Sequence, residues 1–203
     1  MDRVVLLGSQ SSSRQELLRQ AEIPFRLVKQ DSDEACCDWN RPFNEIVASI
    51  ARSKMDHVIL PEGTQGECCF VLTADTMTLS PEGEIFGKPV DRDDAIKKLK
   101  SARDGAVTGT AFCLDKKIWS QGTWITYKRI EQFAQGTCSF DVPDEWLDIY
   151  LSRPFVYNCA GALFVDGYGA QFVRDVQGSY TAIMGLPMFE LRQALTALGF
   201  FDI

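Results

Sequence analysis

Histidine is almost missing from this 203-residue chain, where His57 is the only one. A Ser-His-Asp or Cys-His apparatus would have to be built on that one side chain, so acid–base work moves toward carboxylates, lysines or metal-bound water. An excess of positive charge is missing too. Lys and Arg number 21 against 28 Asp and Glu, for a net charge of −7 and a pI near 4.8. Such a balance argues against coating a nucleic-acid duplex, which draws on surplus Lys and Arg, but a few inward-pointing cations could still hold a small anion. The seven cysteines (Cys36, Cys37, Cys68, Cys69, Cys113, Cys138 and Cys159) are odd in number, include two adjacent pairs and form no CxxC. Neither a disulfide framework nor a zinc knuckle is indicated, and reduced cytosolic thiols are the simplest reading. No segment approaches the ~18 apolar residues of a membrane span, and Met1-Asp2-Arg3 followed by Val4–Leu7 is no signal peptide. A cytoplasmic protein is expected. P-loop, GxGxxG, HExxH and GxSxG motifs are also absent.

What is present suits one mixed α/β domain over residues 1–203, with 45% hydrophobic and 24% charged residues and no convincing linker. Val4–Leu7 reads as a buried strand ending at Gly8, followed by a Ser-rich loop and a helix from Arg14, with Ser13 and Glu16 spaced as a capping box. A strand, a polar loop and a helix start leave free N–H groups that favour an anion. Apolar residues at Phe43, Ile46, Val47, Ile50, Ala51 and Val58 predict an amphipathic helix over 43–60, with Lys54 on or beside its buried face and His57 at its surface. Cys68–Ala74 reads as a second strand ending at Asp75-Thr76, and Met77–Phe86 as a hairpin turning at Ser80-Pro81-Glu82-Gly83. Asp91 and Asp94 suit the start of a helix whose inner face holds Ala95, Ile96 and Leu99. Several antiparallel strands are expected over 106–140, punctuated by Gly109, Gly122 and Gly136. A helix follows from Pro143, then short strands and turns over 161–178, then a last helix over 186–198 with Gly199 beyond it.

The candidate site residues are polar groups expected at element ends: Ser9, Arg14, Asp33, Glu34, Lys54, Asp75 and Lys88. Asp75 stands out, because a carboxylate directly after the apolar run 70–74 is costly to desolvate unless it is paired or metal-bound.

The ordered series Leu7-Gly8-Ser9 through Arg14-Gln15-Glu16, Asp33-Glu34, Ala51-Arg52-Ser53-Lys54, Ala74-Asp75-Thr76, Gly87-Lys88-Pro89, Ala160-Gly161 and Gly178-Ser179-Tyr180 through Gly185-Leu186-Pro187 spans nearly the whole chain. It resembles the Maf family of nucleotide pyrophosphatases, once called septum-formation proteins. The resemblance implies a single-domain fold like that of the ITPase-like pyrophosphatases: a curved mixed sheet with flanking helices, in two lobes around a central cleft. It also implies a homodimer and hydrolysis of a nucleoside triphosphate between the α- and β-phosphates, giving a monophosphate and pyrophosphate with Mg²⁺ or Mn²⁺. In that scheme Glu34 and Asp75 hold the metal and handle the attacking water, with Asp75 as the first choice of base. Ser9 and Arg14 bind phosphates, and Lys54 and Lys88 complete the clamp. Hard oxygen ligands and convergent cations suit Mg²⁺ and a triphosphate.

Departures bear on the base. Members that prefer dTTP and UTP usually carry Arg-Arg in the first motif, Asp-Lys-Ala-Gly and a downstream Gln, and a group linked to 7-methyl-GTP carries Trp-Arg, Cys-Ala-Gly and a downstream Glu. Here Ser13 matches neither, Ser12 replaces the usual Pro, Asn158-Cys159-Ala160-Gly161 looks like the second group, and Asp166 stands at the Gln/Glu position. A carboxylate accepts from the N–H donors of a guanine edge, which tilts the expectation toward 7-methyl-GTP-type substrates contacted by Asp166. A dTTP/UTP pyrophosphatase is the alternative, as is a non-catalytic nucleotide-binding regulator of cell division. A haloacid-dehalogenase-type phosphatase with Asp75 as nucleophile lacks its DxDxT/V element.

Overall fold

The apolar run at the front becomes strand β1, Val5–Leu7, in a computed structural model that describes residues 3–33 and 37–201. The chain forms two compact units. The first comprises Met1–Asp75, Ala111–Phe133 and Leu186–Ile203, and the second Thr76–Thr110 and Ala134–Gly185.

In the first unit β1 runs parallel to both β2 (Phe25–Leu27) and the front of β5 (Cys68–Leu79), with Leu7 opposite Leu27 and Leu72. Parallel strands need a crossover. Helix α1 (Ser12–Gln20) makes the one from β1 to β2, while α2 (Phe43–Asp56) lies in the longer one to β5. A small antiparallel pair, β3 (Lys29–Gln30) and β4 (Val58–Ile59), accompanies them. Ile46, Val47, Ile50, Ala51 and Met55 form the buried stripe of α2, three to four residues apart as a 3.6-residue period requires. That helix ends at Asp56 rather than Leu60: His57 caps it with its backbone N–H on Ser53, and β-branched Val58 and Ile59 turn to strand pairing. His57 is exposed, as expected. The last helix, α6 (Met188–Ala197), buries Leu191, Ala194 and Leu195, and Gly199 follows at φ +74°.

In the second unit the expected hairpin forms, pairing Leu79 with Ile85 and Thr78 with Phe86 of β6 (Ile85–Phe86). Helix α3 (Arg92–Ala102) is capped by Asp91, whose carboxylate accepts from the Asp94 N–H at 2.8 Å. Its Ala95, Leu99 and Ala102 join Phe140, Tyr150, Val156 and Phe172 in one apolar cluster. The back of β8 (Thr123–Phe140) pairs antiparallel with β9 (Val173–Gly178). Gly136 is required there, since a Cβ would lie 2.9 Å from the Ser179 carbonyl oxygen. Two short helices complete the unit, α4 (Leu147–Leu151) and α5 (Tyr180–Met184).

The fold class is mixed α/β. With β7 at Ala106–Ser120, one seven-stranded mixed sheet has the order β2-β1-β5-β7-β8-β9, with β6 on β5, and helices flank it. Two strands, β7 (Ala106–Ser120) and β8, supply the whole 106–140 region, with Gly122 in their turn. Gly109 and Gly136 lie inside strands, because ladder pairing overrides the local weakness of glycine. Residues 161–172 are mostly 3₁₀ turns instead of short strands. Among the described residues no helix is long and apolar enough to cross a membrane.

Candidate active site

Four of the polar residues picked out in sequence, Ser9, Arg14, Lys54 and Asp75, lie in the first unit, where they form two pairs. Gly8 ends β1 with its N–H on the Leu72 carbonyl at 2.8 Å, and a Cβ there would lie 2.9 Å from Thr73 Cγ2. This close approach sets the loop after β1 against β5, three residues ahead of Asp75. The loop leads into α1, which is capped by Ser11 rather than Ser13: Ser11 Oγ accepts from the Arg14 N–H at 3.5 Å. With Ser13 inside the helix, the Ser13–Glu16 capping box does not form, and Glu16 instead pairs with Arg19 at the surface. Ser9 Oγ accepts from Arg14 Nη1 at 2.8 Å and from the Ser11 N–H at 3.3 Å. Arg14 is buried, with 8% exposure, in the first turn of α1. The phosphate-type donors of Ser9 and Arg14 are therefore fixed at a helix start, where N–H groups and the helix dipole favour an anion.

The second pair is Lys54 and Asp75. Lys54, in the last turn of α2, donates from Nζ to Asp75 Oδ1 at 2.6 Å, with both side chains close to nine-tenths buried. Thr73 Oγ1 donates to the Ala51 carbonyl at 2.8 Å and so fastens β5 to the α2 turn that carries Lys54. Thr73 was not singled out in the sequence, and only the pairing of β5 with α2 reveals its role. Asp75 does not end its strand, contrary to expectation. β5 continues to Leu79, because Thr78 and Leu79 find ladder partners in β6. The other carboxylate oxygen, Oδ2, is buried without a hydrogen-bond partner among the described residues. A buried unsatisfied carboxylate oxygen is costly, and it calls for a cation, a water or a substrate proton. Among the described residues no three His, Cys, Asp or Glu cluster as a metal cage. Mg²⁺ does not require one, since one or two carboxylates and substrate phosphates suffice. The open oxygen of Asp75 therefore fits a hard divalent ion. Glu34, the other expected ligand, lies outside the described residues, and Asp33 is exposed.

The second unit holds Lys88 and Asp166. Lys88 is exposed and forms no ion pair or hydrogen bond through its side chain among the described residues, whereas Lys97, Lys98 and Lys100 are each paired with a carboxylate. Asp166 is half-buried on the turn leading to Gly167–Phe172. Burial pushes the Cys159 thiol up to about 12, with Asp166 raising it and Lys88 lowering it. Burial, and to a smaller extent Asp166, also raises the Tyr180 phenol. The Gly161 N–H donates to the Gly87 carbonyl at 3.0 Å, joining the Gly-Lys-Pro loop to the Cys-Ala-Gly turn.

The family model described as Maf-like protein matches residues 4–198. A dTTP/UTP pyrophosphatase of Geobacter sp. (strain M21) is 33% identical over 96% of this chain and 95% of its own length. One of the same name from Bacillus cereus is 30% identical over 99% and 97%. A nucleoside triphosphate pyrophosphatase of Synechococcus sp. is 32% identical over 97% and 94%.

Proposed function

Because the chain belongs to the Maf-like protein family, we propose that it is a nucleoside triphosphate pyrophosphatase, a hydrolase that splits the α-β phosphoanhydride to give a monophosphate and pyrophosphate. The observation that carries this reading is the Lys54–Asp75 pair, a buried carboxylate with one oxygen held by an ammonium and the other unclaimed among the described residues.

The residues divide the work as follows. Ser9, Arg14 and the N–H groups opening α1 bind phosphate oxygens, and Arg14 offsets charge that grows on them as the anhydride breaks. Lys54 orients Asp75 by holding Oδ1. Asp75 Oδ2 then accepts a proton from the attacking water. The water oxygen bonds to the α-phosphorus, the bond from that phosphorus to the bridging oxygen breaks, and the bridging oxygen leaves with pyrophosphate. Lys88, a cation without a carboxylate partner among the described residues, binds further phosphate charge. Asp75 and Glu34 are the residues that would hold Mg²⁺ or Mn²⁺, and a bound ion would neutralise phosphate charge.

For the base, dTTP and UTP are the first substrates proposed, which reverses the tilt taken from sequence. Support comes from the names carried by the Geobacter and Bacillus relatives. A guanine-type base is the second reading. It is favoured by the acceptor-only carboxylate of Asp166 beside Cys159, where N–H donors on a base would be accepted.

A panel of ordinary and 7-methylated nucleoside triphosphates with Mg²⁺ or Mn²⁺, with pyrophosphate, orthophosphate and monophosphate read separately, tests the proposal. Equal amounts of pyrophosphate and monophosphate are expected. Turnover of none of the panel would leave the nucleotide-binding regulator, and orthophosphate as the sole phosphate product would point to a phosphatase. The order of kcat/KM among bases decides between the two base readings.

A further inference from the structure

Lys98 is a lysine with only 7% exposure, and no step of the proposed reaction uses it. It sits in the middle of α3, and its ammonium has two partners. It donates to Asp94 Oδ2 at 2.6 Å, four residues back on the same helix, and to the Lys88 carbonyl oxygen at 3.3 Å. Asp94 Oδ2 also accepts from the Val90 N–H at 3.0 Å. Burial works against the Asp94 charge, but the hydrogen bonds from Lys98 and Val90 outweigh it and hold the carboxyl below its ordinary range. The ammonium also lies 5.6 Å from the centre of the Phe86 ring, two residues before Lys88.

The loop at Lys88 is thereby fixed at three of the four residues from Gly87 to Val90. The Gly87 carbonyl accepts from Gly161, the Lys88 carbonyl from Lys98, and the Val90 N–H donates to Asp94. Pro89 adds a fixed φ between them. Filling space alone would be done at lower cost by an apolar residue of similar length, since burying an ammonium forfeits its hydration. What the ammonium adds is a donor aimed at one carbonyl, that of the residue whose own side chain has no partner among the described residues. We propose that Lys98 is a positioning residue for Lys88: by holding the Lys88 carbonyl, it aims the Lys88 ammonium at the phosphates of the bound triphosphate. The inference rests on the assignment of Lys88 to substrate binding made above.

Lys98→Met, Lys88→Ala and the double variant test it by steady-state kinetics on the best triphosphate of the panel, with melting temperature measured alongside. Misplacing the cation is expected to raise KM about tenfold in Lys98→Met, with kcat changed less. In the Lys88→Ala background the same substitution should raise KM no further, because the side chain it aims is gone. Lys98→Arg, which keeps the donors, should recover most of the loss. If Lys98→Met does not fold, Lys98→Gln, which keeps an N–H donor without the charge, replaces it in the same cycle. An unchanged KM in the folded variant, or an equal rise with and without Lys88, overturns the inference. If Lys88→Ala itself leaves KM untouched, the assignment of Lys88 to substrate falls, and the positioning role falls with it. A rise in Lys88→Ala without one in Lys98→Met sinks the positioning role alone.

Discussion

Two buried carboxylates in the first unit, Asp75 on β5 and Asp115 on β7, look alike in sequence but are built for different ends. Asp115 has no exposure, and both its oxygens are saturated: Arg129 donates at 2.7 and 2.9 Å, Lys117 lies at 2.9 Å and Thr126 at 3.2 Å. Arg129 in turn reaches Asp56 at the end of α2. Asp75 has one cation and, among the described residues, one oxygen without a partner. A carboxylate whose every lone-pair direction is occupied can only hold structure together. One left half-satisfied carries a desolvation cost that makes sense if something else completes it. The contrast separates a structural ion pair from a candidate catalytic one without reference to relatives.

Substitutions can break that contrast. The largest effect is expected from Asp75→Asn, which keeps the shape but cannot take a proton: kcat should fall about a thousandfold, with a smaller drop in melting temperature than in Asp115→Asn, because one buried cation, Lys54, loses its counter-charge instead of two. Pyrophosphate release near the original rate would remove Asp75 from the base role. Asp115→Asn should do the reverse. It leaves Arg129 and Lys117 without their buried counter-charge, a loss of about 3 kcal/mol by denaturant titration, while the folded fraction keeps its turnover. If activity per folded molecule collapsed in Asp115→Asn, the two carboxylates would not be distinct in kind.

Acid sharpens the same distinction. Burial raises the Asp115 carboxyl, but the hydrogen bonds from Arg129 and Lys117 prevail and hold it below its ordinary 3.8. A depressed folded value contributes stability that is present above the unfolded value and is lost as pH falls through the folded one. The protein should therefore lose stability below about pH 4, and Asp115→Asn should show a shallower acid limb in a melting-temperature series. The smallest effect is expected at Arg52–Glu131, a 2.6 Å pair with side chains 47% and 30% exposed. Glu131→Gln should cost under about 1 kcal/mol and progressively less as salt is added. A larger or salt-independent loss would mean that this pair belongs with the buried ones.

How far the sequence could be read depended on the range of the forces involved. The β5–β6 hairpin and the Asp91 cap of α3 were legible because turn residues and a capping carboxylate act within four positions of themselves. The end of β5 was misjudged because an aspartate in mid-strand contradicts local propensity, and strand pairing from β6 settled it. The α1 cap fell on Ser11 instead of Ser13 because three consecutive serines offer equivalent caps, and the chain entering from β1 selects among them. In the sequence Lys98 is one of several charges on α3. Its Asp94 partner four residues away was visible, but its burial and its hold on Lys88 were not.

The lone His57, the motif order and the placement of Asp75 directly after an apolar run are properties of the chain alone. They sufficed to name the family and to nominate Ser9, Arg14, Lys54, Asp75 and Lys88 as candidates, because residue type limits what chemistry a side chain can perform. Which oxygen of Asp75 is held and which is open, which of the lysines around Lys88 are spent on carboxylates, and why Asp115 is structural were decided only in three dimensions. Hydrogen bonding and desolvation depend on atoms brought within about 3 Å of one another, and residues such as Lys54 and Asp75, 21 positions apart, meet at that distance only after the helix and the strand have packed.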